Sequence, residues 1–172
     1  PKIGCTKGDP TYDRLCYGAY AVYINGAKCL LLFVVAALLG VLPHVLTFAL
    51  AYGALRTFSF GVHLNNTGLC TLLGLVYYLG RPYLSTTIAP AWWHLALLLA
   101  VGGVLFALYA PAETTKRPIP QRRRSAYKGK ALAVLAVIGV AALLIQSHHP
   151  VISNLLCMAA VCQSINLLPI TY

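Results

Sequence analysis

The sequence predicts an all-α integral membrane protein. We expect about four transmembrane helices, a re-entrant helical hairpin and an amphipathic helix lying at the membrane surface near the N-terminal end. Three observations lead there. The chain has 172 residues, of which 59% are hydrophobic and 9% charged, whereas a soluble domain carries about 25% charged residues. A chain this short cannot bury so much apolar surface in one core. The apolar runs are long and contain Gly and Pro, which suits helices better than the dyad alternation of a lipid-facing barrel. The charges are also lopsided, with 13 Lys and Arg against the three acids Asp9, Asp13 and Glu113. Basic loops beside membrane spans follow from the positive-inside rule. Nucleic-acid binding, the other reading of so basic a chain, gives way to it.

Each element has its own signal. Residues 1–28, with "TYDRLCYGAYAVYINGAK", read as an amphipathic interfacial helix whose tyrosines sit at headgroup level. They carry no cleavable signal-peptide pattern. Residues 29–55 are apolar but interrupted by Gly40 and Pro43, and Pro is costly inside a helix. Lys28 and Arg56 flank the block. Placing both on the cytoplasmic side makes 29–55 a re-entrant hairpin, which protein must cover because its broken backbone cannot face lipid. Residues 56–110 carry a polar stretch, then a shorter apolar helix that "GRP" at 80–82 ends or bends. A clear span at 91–110 follows, opened by Trp92 and Trp93 at an interface. Residues 111–130 read as a Pro-rich, basic, cytoplasmic loop. Residues 131–169 hold two further spans, 131–147 and 151–168, joined by a tight turn at "SHHP". The whole forms a single membrane-embedded domain.

The polar stretch "RTFSFGVHLNNTGLC", 56–70, is where chemistry would reside. A cysteine peptidase needs a thiol and a neighbouring imidazole. His63 and Cys70 are seven residues apart, which in one unbroken helix separates them by about 10.5 Å along the axis. A shared proton therefore requires a helix break. Asn65, Asn66, Thr67 and Gly68 favour caps and turns. With a cap at Asn66 or Thr67, Cys70 falls in a first helical turn, where the dipole favours an anionic sulfur. Arg56 adds positive charge, and Gly61 permits close approach of a substrate backbone. No acid lies near to orient His63. Asn65, Asn66, Ser59 or a backbone carbonyl could do so, which makes a dyad the expectation. A lone loop histidine and a lone thiol on an apolar helix are the ordinary alternative. Metal is not expected: a structural zinc site wants four close ligands, and His148, His149, Cys157 and Cys162 fall elsewhere. The six cysteines form no C-x-x-C pair and imply no disulfide framework.

The stretch 56–70 resembles the R-x-x-x-G-G-x-H-x-x-x-x-x-x-C signature of the accessory gene regulator protein B (AgrB) family, through Arg56, Gly61, His63 and Cys70. "YAPAETTKRPIP", 109–120, is similar to that family's Ala-Pro-Ala stretch before a basic loop, and "NLLPI", 166–170, is similar to its last span. Phe60 departs from the pattern where a first Gly is common, and Leu64 where a small residue is. The resemblance implies a membrane cysteine endopeptidase of peptide quorum sensing, in the cytoplasmic membrane of a bacterium, with its site on the cytoplasmic side and no cofactor. Cys70 would cleave a pheromone precursor ahead of its C-terminal tail through a thioester, with His63 as base and then acid, and a cysteine of the bound peptide would close a thiolactone. The implied partners are an AgrD-like precursor with an amphipathic leader and an acidic tail, the lipid bilayer and a second copy of the chain. Lys116, Arg117, Arg122, Arg123 and Arg124 could attract the acidic tail, or serve only as a topology signal. The competing class is a non-enzymatic helical scaffold or small transporter. A transporter would place polar residues in several spans, whereas here they concentrate at 56–67.

Overall fold

A computed structural model describes residues 10–61, 67–87, 90–112 and 120–168. It has six helices among them: α1 (Pro10–Leu38), α2 (Leu42–Ser59), α3 (Thr67–Thr87), α4 (Trp92–Tyr109), α5 (Gln121–Ile145) and α6 (Pro150–Ile165). The chain divides into two compact units, Pro1–Gly40 and Val41–Tyr172.

The first unit carries α1, a single helix of 29 residues. It runs unbroken across residue 28, which corrects the expected boundary between an interfacial helix at 1–28 and a hairpin from 29. The tyrosine-rich segment and the following apolar run share one helix because no residue between them breaks it. The portion Leu15–Leu38, 24 residues, is long and apolar enough to cross a membrane. The break at Gly40 and Pro43 is where the sequence puts it. Gly40 has φ +70, the left-handed conformation that commonly ends a helix. Pro43 stands in the first turn of α2, where its missing N–H costs nothing.

In the second unit α6 is central and packs against α2, α3, α4 and α5. Its residues Ser153, Asn154, Leu155, Cys157, Ala159, Ala160, Cys162, Gln163 and Ser164 are all buried. Small side chains allow the close approach that membrane helices use for packing. A Cβ on Gly102 of α4 would lie 3.0 Å from Ser164 Oγ, and Ser153 Oγ donates to the Ala142 carbonyl of α5 at 2.6 Å. On α5, Ala131, Leu135, Ile138 and Ala142 face inward at helical spacing. The opposite faces stay apolar: Leu97, Val101, Val104 and Leu108 of α4, and Val137, Val140 and Leu144 of α5, are exposed. Helices apolar on every side belong in lipid. By length and composition α4 and α5 can span a membrane, as can Leu15–Leu38 of α1, while α6 is a shorter apolar helix. The protein is therefore an all-α membrane protein.

Two element limits differ from those expected. Of the two outcomes expected at "GRP", an end or a bend, the end does not occur: α3 continues through Pro82 to Thr87. Pro82 is fully buried, and a membrane helix tolerates Pro where neighbouring protein covers the freed backbone. α5 begins at Gln121, so 121–130 is helix and not loop. Charge marks that segment as outside the apolar core, but Arg and Lys are good helix formers.

Candidate active site

The end of α2, the end of α4, the start of α5 and the end of α6 meet at one end of the second unit. α2 stops because of its backbone. Phe60 has φ +60 and ψ −134, and Gly61 has φ +117. Phe60 N–H still donates to the Arg56 carbonyl, after which the chain leaves the helix, before His63. Beyond α4 the chain passes a cis Ala110–Pro111 bond. Ala112 N–H then donates to the Ser59 carbonyl at 3.0 Å, forming a parallel bridge between Phe60 and Ala112.

α6 holds this corner from inside. Gln163, 0% exposed, donates through Nε2 to Ser59 Oγ at 2.7 Å and to the Phe60 carbonyl at 2.7 Å. Ser59 Oγ in turn donates to the Leu55 carbonyl at 2.7 Å. Asn166 Nδ2 donates to the Tyr52 hydroxyl at 2.7 Å, and Arg56 Nη1 donates to the same oxygen at 3.0 Å. Arg56 also lies over the Tyr52 ring. From α5, the Tyr127 ring meets Phe60 edge-on at 5.2 Å and Lys130 Nζ sits 5.9 Å from the Phe58 ring. The basic first turns of α5 thus stand beside the end of α2, with Arg122, Arg123 and Arg124 exposed.

Not every expected site residue falls within the described chain. His63, Asn65, Asn66, Lys116 and Arg117 lie outside the described residues. α3 is described from Thr67, which makes Cys70 its fourth residue. Ser59 is committed to the Leu55 carbonyl and to Gln163, so it secures the helix end. Gly61 is closely approached from within the chain. A Cβ there would lie 3.0 Å from the Asn166 carbonyl oxygen and 3.6 Å from Gln163 Nε2. The neighbour that demands a glycine is this chain's own α6 backbone. Sequence reasoning missed Gln163 and Tyr52. The available signal was a glutamine in an otherwise apolar terminal span. Among the described residues, no group of three His, Cys, Asp or Glu is placed to hold a metal.

The three stretches that carry the resemblance, although remote in sequence, meet at this corner through Arg56–Gly61, Ala112 and Asn166. The fold and this corner define a polytopic α-helical membrane protein with a polar, hydrogen-bonded end. A family model described as Accessory gene regulator B matches residues 5–167. The chain belongs to the accessory gene regulator B family. It is 27% identical over 159 residues to Accessory gene regulator protein B of Staphylococcus epidermidis, covering 92% of this chain and 80% of the relative. It is 30% identical over 162 residues to a putative AgrB-like protein of Listeria monocytogenes serotype 4a (strain HCC23), covering 94% and 78%. It is 28% identical over 126 residues to the Staphylococcus saprophyticus protein of the same name, covering 73% and 67%. No solved structure matches.

Proposed function

We propose that the chain is a membrane-embedded cysteine endopeptidase that matures a pheromone precursor for peptide quorum sensing. Its membership of the accessory gene regulator B family, over a span that includes both His63 and Cys70, carries this reading. In this mechanism His63 takes the Cys70 thiol proton, and the thiolate attacks the scissile carbonyl carbon. The C–N bond breaks, the imidazolium gives its proton to the leaving amine, and the acidic tail departs, leaving a thioester. A cysteine thiol of the bound peptide then attacks that thioester. Its proton returns to Cys70 through His63 and the thiolactone closes. Thioester exchange is nearly balanced in energy, so cyclisation competes with hydrolysis if water is excluded. As the fourth residue of α3, Cys70 is close enough to the positive helix end to favour its thiolate.

Arg122, Arg123 and Arg124 open α5, whose first turn contains no acid. Their charge adds to the positive end of that helix and favours an acidic tail. The precursor's amphipathic leader would lie on the bilayer, with the working unit a homodimer, in the cytoplasmic membrane of a bacterium and with the site facing the cytoplasm. Co-expression of the chain with its precursor tests the reading. Cys70→Ala and His63→Ala should each abolish release of the tail, and Cys70→Ser should cripple it. Undiminished release by Cys70→Ala would overturn the mechanism.

A further inference from the structure

We propose that Gln163 of α6 is the positioning residue of the peptidase site, holding the chain in the turn that leads from α2 to His63. The inference rests on the peptidase reading. It begins from an oddity of placement. Gln163 is a fully buried amide in an apolar helix, and its Oε1 has no hydrogen-bond partner. Burying an amide with one end unsatisfied is unfavourable. Leu or Met would fill the space without that cost. What the amide does provide is two donated bonds to adjacent residues, Ser59 Oγ and the Phe60 carbonyl, each 2.7 Å long.

Those two acceptors sit at the point where α2 ends. Phe60 and Gly61 both have positive φ, so the path of the chain there is not one it would adopt by default. Gln163 fixes the Phe60 carbonyl, and with it the peptide plane between Phe60 and Gly61. The Asn166 carbonyl oxygen, just past the end of α6, meets Gly61 at 3.0 Å from where a Cβ would stand. His63 follows Gly61 by two residues in the sequence. An imidazole that must meet a thiol within hydrogen-bonding distance depends on such an anchor, since a displacement of about 1 Å can cost a hundredfold in rate.

The test uses the full chain in proteoliposomes with the precursor peptide. It reads tail release by wild type, Gln163→Leu, Gln163→Glu and Cys70→Ala across pH. Gln163→Leu should lower kcat on the order of 10- to 100-fold with KM nearly unchanged. The diagnostic variant is Gln163→Glu. Burial raises a carboxyl pKa toward neutrality. The protonated acid can donate to the Phe60 carbonyl and the carboxylate cannot. The activity of Gln163→Glu relative to wild type should therefore rise as pH falls from about 8 to about 6. The ratio is read per folded molecule, because ionising a buried carboxyl also destabilises the fold. A merely space-filling role leaves Gln163→Leu close to wild type. A flat ratio across pH, or Gln163→Leu working within about twofold of wild type, overturns the inference. If Gln163→Leu fails to fold, Gln163→Met in the same assay takes its place. Tail release by Cys70→Ala sinks the peptidase reading itself. Loss of release in Cys70→Ala, beside normal Gln163 variants, sinks only the positioning role.

Discussion

At Phe60 an aromatic side chain occupies backbone that suits glycine. Its φ of +60 with ψ −134 is a combination in which an L-residue is strained by about 1–3 kcal/mol. The pattern that the sequence resembles commonly has a glycine at this position, and the backbone explains why. The phenylalanine is kept in place by its edge-on contact with Tyr127, and such aromatic pairs contribute about 0.5–1.5 kcal/mol. The two effects separate in a pair of variants. Phe60→Ala loses the ring contact and keeps the strain, while Phe60→Gly loses both. Glycine's extra unfolded-state freedom offsets about 0.5–1 kcal/mol of the relief. Phe60→Gly should therefore be the more stable of the two by about 1 kcal/mol, measured by denaturant unfolding in one detergent. The reverse order would mean that residue 60 does not hold a positive φ. Gly61 was legible as a special position from the sequence, but its reason was not. The carbonyl that crowds it belongs to Asn166, more than a hundred residues away, and no local pattern reveals that.

Among the helices, α6 sets the packing, and Gly102 of α4 comes close against it. Gly102 is buried and would place a Cβ 3.0 Å from Ser164 Oγ, while Gly103, next to it, has nothing within 4 Å. Gly102→Val should force α4 away from α6 and destabilise the protein by about 1–3 kcal/mol relative to Gly103→Val. The comparison cancels the helix-propensity change common to both, and thermal unfolding in a single detergent reads it. Equal effects would show that the two helices do not meet there. Element limits were legible wherever a residue acts on its own backbone. Gly40 and Pro43 part α1 from α2, Trp92 opens α4, and "SHHP" turns the chain between α5 and α6. They were not legible where the sequence signal was about environment. Arg122 to Lys130 carry charge, which marks distance from lipid and says nothing against a helix. At Pro82 an end and a bend both stayed open, because its burial against neighbouring helices cannot be read locally. Gln163 passed unnoticed because its partners, Ser59 and Phe60, stand 104 and 103 residues earlier. The spacing of His63 and Cys70 was the local signal of chemistry; the partners that fix the end of α2, shortly before His63, are distant in sequence.

At the scale of the molecule, α4 and α5 keep charge and lipid-facing surface apart. Their exposed stripes are apolar, while Arg122, Arg123 and Arg124 lie in the first turn of α5, just before the residues that meet the end of α2. On the peptidase reading, this asymmetry should be felt by an acidic substrate tail before it reaches the site. Replacing Arg122, Arg123 and Arg124 together by Glu should raise KM by about tenfold at low salt, with kcat little changed. Added salt should narrow the difference, since the Debye length falls to about 3 Å at 1 M. A salt-independent difference, or none, would assign these arginines to membrane orientation alone. The hydrogen bonds from α6 to the end of α2 also impose an order in time. A ribosome adds about 5–20 residues per second, so Ser59 emerges roughly 5–20 seconds before Gln163. Throughout that interval Ser59 and Phe60 lack the Gln163 amide, while Ala112 and Tyr127 arrive earlier to hold the end of α2. On the peptidase reading and the positioning role inferred for Gln163, a nascent or truncated chain inserted in the bilayer would hold both His63 and Cys70 and still be idle. On that reading the nucleophile is made early, and the last helix determines when it can cut.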